Sequence, residues 1–145
     1  MRIAESFFQF KTYVIKHFSF YQNPSKLKTN SKLLYSIEEF EPVVKSIQKS
    51  KNSFIGKVQL SLVIHGKNSP EDKRPTRKVE IVIVGEFEGK DISDKDFEKF
   101  CLISGVLQLL SIARAYIASA TAATGAPSII MPLINLPATL KEQIQ

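Results

Sequence analysis

Two runs of strict alternation limit the folds open to this chain. In "SFIGKVQLSLVIHG", Phe54, Gly56, Val58, Leu60, Leu62 and Ile64 share one parity, and Ile55, Lys57, Gln59, Ser61, Val63 and His65 the other. In "RKVEIVIVGEFEG", Val79, Ile81, Ile83, Gly85 and Phe87 share one parity. A strand turns successive side chains to opposite faces, so each run predicts a strand with one buried face. The connection from Lys67 to Arg77 is charged and holds Pro70 and Pro75, which predicts an exposed hairpin connection.

Two further strands precede these. In "FFQFKTYVIKHFSF", Phe8, Phe10, Val14, Phe18 and Phe20 share a parity and are expected inward. "KLLYSIEEFEPVVKSI" has apolar spacing that also suits a helix, but Pro42 argues against a continuous one. The expectation is an edge strand bent near the proline.

After residue 92 the period changes. Ser93 with Asp96 three residues on is a capping-box pattern, and a helix is predicted to about Thr124. Gly125 suits the position after a helix end and Pro127 prevents continuation. Asn135 is placed to cap a short last helix through Leu140. Strands first and helices after predict an α+β fold: a four-stranded antiparallel sheet packed against a long helix, plus a short C-terminal helix. A chain of 145 residues suits one such domain, 1–145.

The long helix carries two patterns. Leu102, Val106, Leu109, Ala113 and Tyr116, widened by Ile103, Leu107, Leu110 and Ile117, form a stripe to cover the sheet. Ser104, Gln108, Ser111, Ala115, Ala118 and Ala122 form a seam spaced alternately four and three apart. Small side chains let a second helix approach closely, and the chain has no other long helix, so the seam predicts a homo-oligomer. Such seams also occur in transmembrane helices. Gln108 and Arg114, with Ser and Thr throughout, argue against membrane insertion.

Catalytic and metal signatures are missing from the sequence. It has no Gly-rich phosphate loop, no nucleophile elbow and no Cys/His cluster at metal spacing. His17 and His65 fall on outward parities, and Cys101, the sole cysteine, reads as a small core residue. The expectation is a non-enzyme without cofactor or metal. Glu5, Gln9 and Lys11 interrupt any apolar signal-peptide core, so a cytoplasmic location is expected. The net charge is +6, and residues 1–51 hold nine Lys/Arg against four acids. "KTYVIKHFSFYQNPSKLKTNSKLLY" interleaves basic and aromatic residues, which leaves a nucleic-acid-binding module as an alternative.

What remains is an apolar stretch, Thr121 to Leu140, stiffened by Pro127, Pro132 and Pro137. Loops are ordinarily polar. This one, with Ile112-Ala113-Arg114, Ile117, Ser119, Gly125, Pro127, Pro132 and Asn135 in order and spacing, resembles the helix-and-loop signature of the SecB-type protein-export chaperones. "FQFKTYVIKHFSFYQNP" and "VEIVIVGEFEG" are similar to that family's first and fourth strands. Ser111 and Thr124 depart from it, standing where the family has a proline and a glycine.

The resemblance implies an ATP-independent holdase that binds unfolded or partly folded polypeptides as a homo-tetramer, a dimer of dimers. It implies client contacts at Ile129, Ile130, Met131 and Leu133, with two of these four expected to be exposed and the others core. Val43, Val44 and Ile47 are the other client-facing candidates. For export the partner is the SecA motor, which the family binds through acidic residues on the sheet. His17 and Tyr21 occupy two of those positions, and Glu80 matches a third. The basic balance favours one dedicated client instead, such as the antitoxin of a toxin–antitoxin pair.

Overall fold

The structure, a computed structural model, describes residues 7–27, 32–132 and 134–140. The alternating runs form strands β1 (Phe8–Gln22), β2 (Leu34–Ser50), β3 (Ser53–Lys67) and β4 (Arg77–Lys90). They build one antiparallel sheet in the order β1-β4-β3-β2. Three hairpin-connected strands with the first strand returned beside the last make a Greek-key arrangement. It leaves β1 and β2 as the two edges.

The central strands follow the expected parity. Phe54, Val58, Leu60, Leu62, Ile64, Val79, Ile81, Ile83 and Phe87 are all buried. The edge strands follow it only in part. β1 slips its register between Phe10 and Thr12 and again between Ile15 and His17. Each bulge inserts an unpaired residue and reverses the parity that follows. Phe8 and Phe10 before the first bulge and Phe18 and Phe20 after the second pack on the core as expected, while between the bulges Ile15 turns inward and Val14, expected inward, is 59% exposed. In β2 the slips fall between Ile37 and Glu39 and between Lys45 and Gln48, where Ser46 has φ 51°. Pro42 itself stays in register opposite Leu60, so the irregularities lie to either side of it.

One helical run covers the sheet. It comprises α1 (Asp94–Phe100), a π-helical turn over Cys101–Gly105, and α2 (Val106–Ala122). The Ser93 side chain accepts from the Asp96 amide, and Gly125 takes φ 83° just past the end. That conformation suits glycine, which lacks a Cβ. Val106, Leu109, Leu110, Ala113, Ile117 and Thr121 are buried against the sheet. Leu107 and Tyr116, both expected in the covering stripe, are 53% and 39% exposed. Leu107 lies beside the small-residue seam, and the π turn shifts the register of the upstream positions Leu102 and Ile103. The run Asp94–Ala122 has the length and apolarity to cross a bilayer. Its apolar side, however, is the lid of the sheet core. The short helix α3 (Leu136–Thr139) begins at Asn135, whose side chain accepts from the Ala138 amide, as its sequence foretold.

Candidate functional site

The connection between α2 and α3 divides its apolar residues sharply. Ile129 is 1% exposed and Met131 2%, while Ile130 is 64% exposed. Thr121 accounts for part of this. Its Oγ1 donates to the Ile117 carbonyl at 2.7 Å and accepts from the Ile129 amide at 2.8 Å, pinning Ile129 against the helix end. Of the four loop candidates, two of them expected to be core, Ile129 and Met131 are buried here and Ile130 is exposed. Leu133 lies outside the described residues.

Next to this loop the β2 edge forms an apolar cleft of about 340 Å³, lined by Ile37 and Phe40 from β2 and by Ile134, Asn135 and Thr139. Sequence reasoning missed Ile37, Phe40 and Ile134 as site residues. The signal for Ile37 and Phe40 lies in the apolar spacing of β2, and that for Ile134 in the apolar loop before α3; neither shows which residues the edge leaves open. The other β2 candidates scatter. Val44 packs toward the core, Val43 is 38% exposed on the outer face, and Ile47 is 41% exposed within the second bulge. Apolar walls beside a free strand edge suit an extended chain, because unpaired backbone groups and apolar contacts are offered together. A larger depression of about 600 Å³ lies by the β2–β3 turn, but Lys49, Lys51, Asp91, Asp94 and Lys95 give it charges of both signs and no convergent chemistry.

The seam residues all remain at least partly open. Gln108, Ser111, Ala115 and Ala122 are exposed, and Ser104 and Ala118 half-buried. They are available for a helix contact that a single chain does not make.

On the outer sheet face Glu80 is held by its neighbours. Lys78 Nζ lies 2.9 Å from Oε1, the Ser19 hydroxyl donates to Oε2 at 3.3 Å, and His17 Nε2 lies 3.7 Å from the same oxygen. The Lys78 hydrogen bond and charge lower the Glu80 pKa below its ordinary value. His65, on the same face, is pushed down by burial; Glu38 at 4.0 Å pulls it up, and Lys78 and Lys67 oppose that pull. Cys101 is buried, and burial pushes its thiol up to about 12, which leaves it a poor nucleophile.

The aromatic–basic interleaving of β1 also resolves. Phe8 stacks on Phe87, Phe18 meets Tyr116 edge-on, and Phe20 lies under Arg77. These rings face the helix, whereas Lys11 pairs with Glu88. Stacking platforms for bases need exposed rings among the cations, and β1 turns most of its rings away. Among the described residues no group of three or more His, Cys, Asp or Glu is placed to hold a metal.

Comparison with solved structures finds a match in the Rv1957 SecB-like chaperone of Mycobacterium tuberculosis, solved in complex with a ChAD peptide from the Rv1956 HigA1 antitoxin. The identity is 14%, the TM-score 0.63, and the match covers 88% of this chain and 91% of that one. At that identity the likeness is one of fold: the two chains share the SecB-like architecture. No family model and no curated protein sequence matches the chain.

Proposed function

We propose that this chain is an ATP-independent holdase that captures non-native polypeptide in the cleft between β2 and the loop before α3. The observation that carries the reading is the cleft itself: Ile37, Phe40 and Ile134 line it beside a free strand edge, with Ile130 exposed in the adjoining loop. The shared fold supports it, since the Mycobacterium tuberculosis relative is a chaperone solved with an antitoxin peptide. A binder of unfolded chain holds back folding and aggregation by mass action and needs no nucleotide. We further propose a cytoplasmic homo-tetramer assembled through the α2 seam, serving one dedicated client such as an antitoxin. Glu80 supports this choice over export, because Lys78 and His17 already occupy the acid that a SecA motor would engage.

The test pairs capture with stability. Ile130→Asp places a charge where a client side chain would lie, and Phe40→Ala shortens the cleft wall. Burying one such apolar side chain against a client is worth up to about 2–3 kcal/mol, so each variant should weaken suppression of aggregation of a denatured test protein several-fold. Ile130→Asp should melt with the parent. Full capture by both variants would remove the cleft from consideration.

A further inference from the structure

The sequence places Arg77 at the end of an exposed connection; in the structure it is 1% exposed. The reason is a row of residues crossing the whole sheet on its helix side. Gln22 pairs with Arg77, Arg77 with Gly66, and Gly66 with Tyr35. A Cβ on Gly66 would lie 2.6 Å from the Tyr35 ring, so glycine there lets the ring lie flat across the row. Arg77 Nε donates to Gln22 Oε1 at 3.1 Å, and Nη1 donates to the Tyr35 hydroxyl at 3.0 Å and to the Pro127 carbonyl at 2.7 Å. The guanidinium carbon sits 5.3 Å from the centre of the Phe20 ring. One side chain thus ties both sheet edges to the loop. Two residues on, the Ile129 amide is held by Thr121.

The tie is incomplete. Nη2 is buried and has no hydrogen-bond partner among the described residues, and no acid among them pairs with the guanidinium.

We propose that Arg77 is a positioning residue for client capture: it latches the Pro127–Met131 loop onto the sheet, and its release exposes Ile129 and Met131 beside the cleft. This rests on the holdase reading above. In the closed state the client meets Ile130 and the β2 edge, and in the open state two further apolar side chains join them. A client that favours the open state binds with an affinity scaled by the open fraction, so loosening the latch strengthens capture.

The experiment follows the Ile129 amide by hydrogen exchange and, in parallel, binding of reduced carboxymethylated α-lactalbumin, a permanently unfolded chain. Arg77→Met removes all three donated bonds while keeping a long side chain. It should speed Ile129 exchange by about tenfold, which corresponds to about 1.4 kcal/mol, and tighten binding by up to the same factor. Tyr35→Phe removes one bond with no change of shape; it keeps the test open if Arg77→Met folds poorly, and it should move both readouts about threefold in the same direction. Arg77→Lys should restore part of the protection. A role in overall stability alone would speed exchange at the core amides of β3 and β4 as much as at Ile129, whereas release of the latch speeds it at the loop. Unchanged Ile129 exchange in both variants overturns the latch. Faster exchange without tighter binding overturns its coupling to capture, and Ile130→Asp then reports separately whether the cleft binds clients at all.

Discussion

The two central strands and the two edge strands are written in much the same alphabet, yet they end differently. In β3 and β4 every inward apolar side chain is covered by the chain's own helix. In β1 and β2 bulges break the alternation, and Val14, Tyr13, Val43 and Ile47 stay open. A strand paired on both sides has its register fixed twice, and a slip would turn a whole buried row to water. An edge strand has one partner and tolerates slips. Apolar side chains left over at the edges are therefore the ones free to meet another chain.

The sharpest way to break that contrast is to shorten one residue of each kind. Ile81→Ala, in the middle of β4, should cost about 2–5 kcal/mol by lost burial and the cavity it leaves. Val14→Ala, on the β1 edge, should stay within about 0.5 kcal/mol. Equal losses in chemical denaturation would mean that the bulges do not release Val14 from the core. The loop repeats the contrast over adjacent residues. Met131→Ala should destabilise by about 2–4 kcal/mol and Ile130→Ala by no more than about 0.5 kcal/mol, read from the same denaturation curves.

These pairs also mark how far the sequence could be read. Strict alternation gave β3 and β4 because two-sided pairing enforces it. Ser93, Gly125 and Asn135 marked helix ends because capping is local chemistry. The bulges in β1 had no local marker: moving Val14 out and Ile15 in depends on which β4 residue each one faces. Arg77 was illegible for a stronger reason. Its burial is decided by Gln22, Tyr35, Phe20 and Pro127, which reach it from three distant parts of the chain. The cleft lay between these cases. Its apolar residues are visible in the sequence, but which of them stay uncovered depends on how the loop before α3 meets β2.

A smaller effect tests whether the helix obeys the same rule. Ala115 is exposed in a seam of small residues on the side of α2 away from the sheet. If that face waits for a second helix, Ala115→Leu should overpack the contact by about 1–3 kcal/mol and dissociate the assembly, leaving the fold intact. Native mass measurement at low micromolar concentration reads the result. An unchanged mass would take the seam out of the interface and turn attention to the β1 edge, where Val14 and Tyr13 are also exposed.

The smallest expected effect concerns His65, which belongs to central strand β3 but faces outward. Two influences compete there. Glu38 at 4.0 Å favours the charged imidazole, while burial within the paired strands disfavours it, joined by Lys78 and Lys67. Burial prevails and the folded pKa lies below the ordinary 6.5. The unfolded chain then holds more protons than the folded one between that lowered value and about 6.5, so stability rises with pH across the window and is lost as pH falls through it. The carboxylates Glu38, Glu71 and Glu80 have pKa values below their ordinary value, so their own losses come in more acid solution. Thermal melting should therefore fall slightly as the pH is lowered through the window below about 6.5, and His65→Gln should remove that part of the fall. A proton titration of the imidazole decides the cause. A midpoint above 6.5 would mean that Glu38 governs the site, and that even a central strand leaves its outer face to solvent and to its nearest charge.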